Sequence, residues 1–478
     1  MNPRFDLHVL AWLLVIVGAF LAVPLLAALF LGEPTGPFLA SCGATVLIGL
    51  GMARVTRTED RRLRPRDGFV VVGAAWLVTS LVGALPYVAA GTLGPIDALF
   101  ESVSGFTTTG STVVTDTTSL ARSLLLWRAL THWIGGMGII LFTIAILPLL
   151  GIGGMQLFRA EVPGPVADKV RPRLVETARI LWVIYLGLTA AEIVALLLCG
   201  MSFFDSVCHS FATLATGGFS TRNQSVGEFD SAAIEWVITA FMLLAGMNFV
   251  LHFRLFTGRF REVFRDVELR YFLTVVAIAT AIVTLARWRP DSSFEADSRS
   301  AAFHVVSIVT TTGFVAGDFE LWPSLAQFVL LVLMVLGGMS GSTGGGVKSL
   351  RIVLAVRSLR ATLHRLLHPH AVIPVKYGGA VVTEGLLAEV WGFLLAYAAA
   401  AAVGSAVVAA HGYDLLTATS AALTALGNVG PGIGEIGAYD NFAHLPALVK
   451  LTLSGLMLLG RLEIFTLLVL FSRRFWQR

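Results

Sequence analysis

Four glycines, Gly110, Gly218, Gly313 and Gly430, stand thirteen residues after Asp97, Asp205, Ser300 and Thr417. Each of those four is of a type that can cap a helix, and each opens a run of about ten apolar or small residues, too short to cross a bilayer. One or two small or hydroxyl residues precede each glycine, as in Thr310–Thr311–Thr312–Gly313. The chemistry this pattern allows is that of backbone. A glycine accepts dihedrals that turn carbonyls toward an axis, and its missing side chain leaves the axis free. Carbonyl oxygens arranged so can replace the water shell of a dehydrated cation. Short helices before them would aim partially negative C-terminal ends at the same point. Glycines in membrane segments also serve close helix packing, but one spacing repeated four times favours a pore. The fourth segment, Asn428–Val429–Gly430–Pro431–Gly432, differs from the other three. Each segment carries one clear glycine, so a short filter of modest selectivity is expected.

A second stretch is Gly337–Gly346, GGMSGSTGGG, followed by Lys348 and Arg351 inside an otherwise apolar span. Such glycine density breaks a helix, and in a bilayer the freed backbone survives only where it is buried in protein or lines water. A phosphate-binding loop is a poor reading, because no strand precedes and the lysine does not directly follow a glycine. The expected feature is a loop across the inner half of the pore, beneath the third glycine segment. Charges inside apolar runs come next: Arg461 and Glu463, Lys450, Glu192, Arg128 and His132. A charge near mid-bilayer costs roughly 2.5–3.5 kcal/mol, so it usually faces the interior with a role. Arg461, far from both ends of its run, is expected to face the pore. Lys450 and Arg128 lie near the outer ends and read as snorkelling side chains. Glu192 has no evident partner.

The elements that position these residues are membrane helices. Hydrophobic residues make up 56% of the chain and charged ones 13%, and the apolar runs are long rather than alternating, which favours helices over a barrel. Ten spans of about twenty residues fall at His8–Leu31, Gly36–Met52, Phe69–Ala90, Leu124–Leu150, Ile180–Met201, Ala233–Phe256, Tyr271–Ala286, Leu321–Gly337 and beyond, Leu387–Ala410 and Leu445–Phe471. The glycine segments lie between spans three and four, five and six, seven and eight, nine and ten. The predicted fold is therefore an all-α membrane protein: two leading transmembrane helices (1–67), then four pseudosymmetric helix–pore loop–helix repeats around a central pore. Their expected bounds are 68–165, 166–265, 266–380 with the loop, and 381–478.

Basic residues crowd the connections after the even spans, including Arg54, Arg57, Arg159, Lys169, Arg171, Arg173, Arg254, Arg259, Arg261, Arg357 and Arg360. The positive-inside rule then places both termini in the cytoplasm and brings all four glycine segments in from outside. These basic clusters flank spans, so nucleic acid is no expected partner and lipid is. Three cysteines, Cys42, Cys199 and Cys208, lie in or beside apolar runs and make neither a disulfide framework nor a metal site.

The motifs together resemble the TrkH/TrkG-type subunits of bacterial Trk potassium uptake systems, in the Trk/Ktr/HKT superfamily. The matching stretches are SGFTTTGST (Ser104–Thr112), HWIGGMGII (His132–Ile140), GIGGMQLFRAEVPGPVADK (Gly151–Lys169), ATGGFST (Ala215–Thr221), TTTGF (Thr310–Phe314), GSTGGGVKSLR (Gly341–Arg351), NVGPGIG (Asn428–Gly434) and GRLEIFTLLVLF (Gly460–Phe471). The likeness covers nearly the whole chain, and the two leading spans point to the TrkH/TrkG branch.

The resemblance implies a potassium-conducting subunit of the bacterial inner membrane, a homodimer, without enzymatic activity or a cofactor of its own. It implies a cytosolic partner, a TrkA-type ring of nucleotide-binding domains that regulates opening, for which the basic connections 159–173 and 254–270 are the expected docking surface. It places filter carbonyls on Thr108, Thr109 and Gly110; Thr216, Gly217 and Gly218; Thr311, Thr312 and Gly313; and Asn428, Val429 and Gly430. It places the gate on Gly337, Gly338, Ser340, Gly341, Ser342, Gly344, Gly345 and Gly346, with Arg461 contacting that loop. Glycine at all four filter positions is the potassium-selective pattern; sodium-conducting plant relatives carry serine at the first. The rival reading is a proton- or sodium-coupled secondary transporter with alternating access, which broken helices and an intramembrane acid would suit. Such transporters show inverted repeats, whereas these four units share one orientation.

Overall fold

The computed structural model describes residues 3–58, 65–145, 170–288 and 293–477. Helices α1 (Pro3–Leu31) and α2 (Gly36–Val55) form a leading apolar hairpin. Repeat one is α3 (Pro65–Ala89), the short α4 (Pro95–Phe106) and α5 (Arg122–Ala145). Repeat two is α6 (Val170–Leu198), the short α7 (Phe203–Leu214), α8 (Ala232–Gly246) and α9 (Phe249–Phe256). Repeat three is α10 (Val267–Arg287), the short α11 (Phe294–Val309), α12 (Ser324–Leu336) and α13 (Ser349–Leu367). Repeat four is α14 (Glu384–Ala409), the short α15 (Leu415–Gly427) and α16 (Ala447–Arg461). Among the described residues the only sheet is one hairpin, Lys376–Tyr377 against Ala380–Val381, so the protein is all-α.

Among the described residues six helices are long and apolar enough to cross a membrane, or eight if each bent pair is one span. Large apolar side chains such as Phe30, Leu39, Leu47, Leu198 and Leu395 stand exposed on them, a surface that lipid covers. The interior is organised by the four short helices. Each packs against the two spans of its own repeat and the second span of the repeat before: α4 on α3, α5 and α16; α7 on α6, α8 and α5; α11 on α10, α12 and α8; α15 on α14, α16 and α12. The α4–α16 contact closes the circle. Small side chains make such close approach possible; α15 buries Ala418, Ala421, Ala422 and Ala425.

The helix starts differ from the sequence expectation. Ser202 and Asp414 cap α7 and α15, and Gly94 before Pro95 begins α4. Asp97, Asp205 and Thr417 therefore lie in first turns, three residues inside the cap. There the two carboxylates meet the positive end of the helix dipole; Ser202 Oγ accepts the Asp205 N–H and donates to the Asp205 carboxylate. Ser300 lies within α11, which Ser293 caps.

Two expected spans are bent. Span six turns by 103° between α8 and α9, where Asn248 accepts the Val250 N–H and starts a new helix. Span ten turns by 107° after Arg461, through Glu463 and Ile464 with φ of +54° and +52°, before Phe465–Phe471. Span eight stops at Leu336 and resumes at Ser349, as the glycine cluster suggests. Residues 146–150 of span four and the basic connection 159–169 fall outside the described residues.

Candidate functional site

The four short helices end in one motif. The N–H of Thr109, Gly217, Thr312 and Val429 donates to the carbonyl five residues earlier, at Ser104, Ala212, Ser307 and Thr424, over 2.8–2.9 Å. That bond is the six-to-one bond of a Schellman cap, which requires a left-handed residue just past the helix. Thr108 (φ +51°), Thr216 (+54°), Thr311 (+61°) and Asn428 (+55°) supply it, although none is glycine. Two residues on, Gly110 (+87°), Gly218 (+82°), Gly313 (+79°) and Gly430 (+112°) are left-handed again. Each triplet thus alternates handedness, a sequence of dihedrals that turns successive carbonyls to one side instead of to opposite sides as in a strand.

All twelve triplet residues come together. A Cβ placed on Gly110 would run into the Gly217 carbonyl oxygen, one on Gly218 into that of Thr312, one on Gly313 into that of Val429, and one on Gly430 toward that of Thr109. The contacts close in the order one, two, three, four, one. Glycine is required there because the neighbouring triplet's backbone occupies the space a side chain would fill. Side chains brace the ring from behind. Asn428 Nδ2 donates to Thr109 Oγ1 (3.0 Å) and the Met457 carbonyl (2.9 Å), and Ser111 Oγ donates to the Gly430 carbonyl at 2.9 Å. Thr107 with Thr109, and Thr310 with Thr312, pair their hydroxyls at 2.8 Å. Among the described residues no group of three or more His, Cys, Asp or Glu side chains is placed to hold a metal ion. Any cation at the ring would meet backbone oxygen.

The glycine loop lies against the inner ends of three short helices. Gly345 N–H donates to Thr311 Oγ1 (2.6 Å), and Thr343 Oγ1 donates to the carbonyls of Leu214 (3.0 Å) and Ala245 (3.2 Å). Gly344 abuts the Thr310 carbonyl and Gly345 that of Gly427. Gly337, Gly341 and Gly346 have φ of +72° to +74°. The Gly338 carbonyl accepts from Ser349 N–H, and Gly341's from Phe249 N–H.

Arg461 reaches this loop at a backbone carbonyl. The loop serines bond elsewhere: Ser340 N–H donates to Glu268 and Ser342 Oγ to the Met339 carbonyl. The guanidinium donates to the Thr343 carbonyl (2.8 Å) and to the Gly135 carbonyl of the neighbouring repeat one (3.1 Å). It is 3% exposed and ends α16, at the bend. Lys348 Nζ donates to the Gly344 carbonyl from a left-handed backbone (φ +74°).

The charges read as snorkelling are paired inside the protein. Arg128 is 2% exposed; its Nε meets Glu101 Oε1 at 2.8 Å. Its other nitrogens donate to the Ser220 carbonyl and Thr112 Oγ1, both at 3.1 Å, and the guanidinium lies 4.2 Å from the Phe219 ring centre. Glu101 also accepts from Val113 N–H at 2.9 Å. The pair therefore fastens the chain leaving triplet one to that leaving triplet two. Lys450 meets Asp97 at 2.6 Å and the Ala443 carbonyl at 2.7 Å. The first pair joins neighbouring helices of one repeat, whereas the second joins elements 353 residues apart. Glu192 is buried in α6 beside Thr213 of α7.

Four short helices delivering alternating backbone to one closed ring, within a shell of apolar spans, define a multi-pass membrane transport protein built from four repeats. A family model described as TrkH, cation transport protein, matches residues 39–478. The chain is 42% identical to the Trk system potassium uptake protein TrkH of Escherichia coli K12 and also to that of Halomonas elongata, each over the full length of both chains. It is 36% identical to TrkG of E. coli K12, over 100% of this chain and 99% of that one. The crystal structure of the potassium transporter TrkH from Vibrio parahaemolyticus superimposes with a TM-score of 0.92 at 38% identity, covering both chains completely. The chain belongs to the TrkH family of cation transport proteins, a family of transporters and not of enzymes.

Proposed function

We propose that this chain is the ion-conducting subunit of a Trk-type system that takes up potassium across the bacterial inner membrane. The observation that carries this reading is the closed ring of four triplets with left-handed residues at both ends. Carbonyls of Thr108–Gly110, Thr216–Gly218, Thr311–Gly313 and Asn428–Gly430 replace the ion's water shell, and four helix C-termini add negative potential. The names of the relatives, potassium uptake proteins, support the choice of ion.

The loop Gly337–Gly346 is the closed gate beneath this filter. Arg461 fixes it through Thr343 and places a permanent positive charge beside the path. Opening swings the loop aside on its left-handed glycines. Both termini face the cytoplasm, where a TrkA-type ring docks on the basic connections, and two copies form a homodimer. Residues 68–165, 166–265, 266–380 and 381–478 are the four repeats.

Uptake of rubidium or potassium into proteoliposomes, with and without a proton gradient, tests the proposal. Flux of both ions well above that of sodium supports it. Sodium flux equal to potassium flux, or transport only of an uncharged solute, overturns it.

A further inference from the structure

One carboxylate bonds both the Gly337–Gly346 loop and the helix that follows it. Glu268, in the first turn of α10, is 2% exposed. Its Oε1 accepts the backbone N–H of Ser340 at 2.7 Å and that of Leu350 at 3.0 Å. Ser340 lies within the loop, and Leu350 is the second residue of α13. One oxygen therefore joins the loop to the helix that follows it, and ties both to a third element. The Leu350 N–H belongs to a first turn, where it has no partner within its own helix and the helix dipole favours an anion. Bonds from N–H to an ionised carboxylate are about twice as strong as neutral ones.

The position of α10 makes this tie a point of control. Asp266 caps α10 through the Leu269 N–H at 2.9 Å. Directly before it runs the connection after α9, with Arg259, Arg261 and Arg265. A force on that connection moves the first turn of α10, and the Glu268 carboxylate with it. On the other flank of α13, Arg351 pairs with Glu463 at 2.5 Å and lies 4.0 Å from the Phe393 ring centre. That pair keeps the start of α13 in place when the Glu268 bonds are lost, so the loop alone is freed.

We propose that Glu268 is a positioning residue that latches the Gly337–Gly346 loop beneath the ring, and that displacement of the first turn of α10 releases it. The inference rests on the reading of that loop as the gate. The test is rubidium uptake by full-length protein in proteoliposomes without any cytosolic partner, for wild type, Glu268→Ala, Glu268→Gln and Arg461→Ala. Glu268→Ala should raise partner-free uptake about tenfold or more, the factor expected for loss of a charge-assisted bond. Glu268→Gln keeps an acceptor oxygen and should raise it only a few-fold, a graded rescue that general destabilisation does not produce. In a background without Cys42, Cys199 and Cys208, a cysteine at Ser340 should react faster with an impermeant maleimide from the cytoplasmic side once Glu268 is changed to Gln, which keeps the test alive if the alanine variant misfolds. Uptake raised by Arg461→Ala with both Glu268 variants at wild-type uptake and labelling would overturn the latch and leave the gate standing. Uptake unchanged in all variants would overturn the gate and the latch together.

Discussion

Serine at Gly110 should strip this protein of much of its discrimination between potassium and sodium. Gly110 has a φ of +87°, a conformation that costs a residue with a β-carbon about 1–2 kcal/mol. The new Cβ also points at the Gly217 carbonyl oxygen, which must retreat by on the order of 1 Å to reach van der Waals contact. That oxygen belongs to the next triplet, so one substitution disturbs two of the four walls. If the strain is released by displacing the carbonyl, 1–2 kcal/mol of lost preference corresponds to a fall of about five- to thirtyfold in the potassium-to-sodium ratio. The assay is rubidium uptake against competing sodium in proteoliposomes, with a monodisperse elution profile as the check on folding. Gly43→Ser and Gly51→Ser on α2 are the controls, since a Cβ at either meets nothing within 4 Å; both should leave the ratio unchanged. A Gly110→Ser protein that elutes normally and keeps its ratio within twofold of wild type would refute the reasoning.

Arg461→Ala should raise partner-free uptake and leave ion preference alone, because the residue holds the loop at Thr343 and not the ring; reduced uptake at normal protein levels would mean that it supports the open pore. Arg128→Met leaves Glu101 buried without its partner, which costs about 3–5 kcal/mol, so the half-life of the detergent-solubilised protein at elevated temperature should shorten sharply, and adding Glu101→Leu should restore part of it. Asp414→Ala removes the cap of α15 and should cost about 0.5–2 kcal/mol. The Thr417 hydroxyl and backbone N–H groups beside Asp414 hold its carboxyl below its ordinary value of 3.8. A depressed carboxyl contributes stability above the unfolded value and loses it as pH falls through the lower folded one. The wild-type advantage over Asp414→Ala should therefore be the same at pH 7 and pH 5, and its disappearance by pH 5 would contradict this account.

What could be read from the sequence was whatever depends on local residue type at fixed spacing. The four glycines needed only their distance from a helix start, and Gly337–Gly346 announced its broken helix by composition. The caps slipped by three residues because Asp97, Asp205 and Thr417 are cap types that also suit a first turn, while Ser202 and Asp414 nearby suit the cap better. The bends after Gly246 and Arg461 were hidden by apolar residues that continue on both sides. Asn248, a helix starter inside that run, is the one signal that could have exposed the first of them. The roles of Lys450 and Thr343 depend on partners from other repeats, and those of Arg128 and Glu268 on neighbours 27 and 72 residues away. A hydropathy pattern sees a charge near a span end as snorkelling; the packing of α4 on α5 brings Glu101 to Arg128, and the closure of the circle brings Asp97 to Lys450.

The central claim is that the four triplets form one cation site. Anomalous diffraction from crystals grown in rubidium or thallium would address it directly, because both ions scatter strongly and substitute for potassium. The account predicts density on the axis enclosed by the carbonyls of Thr108–Gly110, Thr216–Gly218, Thr311–Gly313 and Asn428–Gly430, which sodium at equal concentration does not displace. An empty ring with the ion bound elsewhere among the repeats would contradict it.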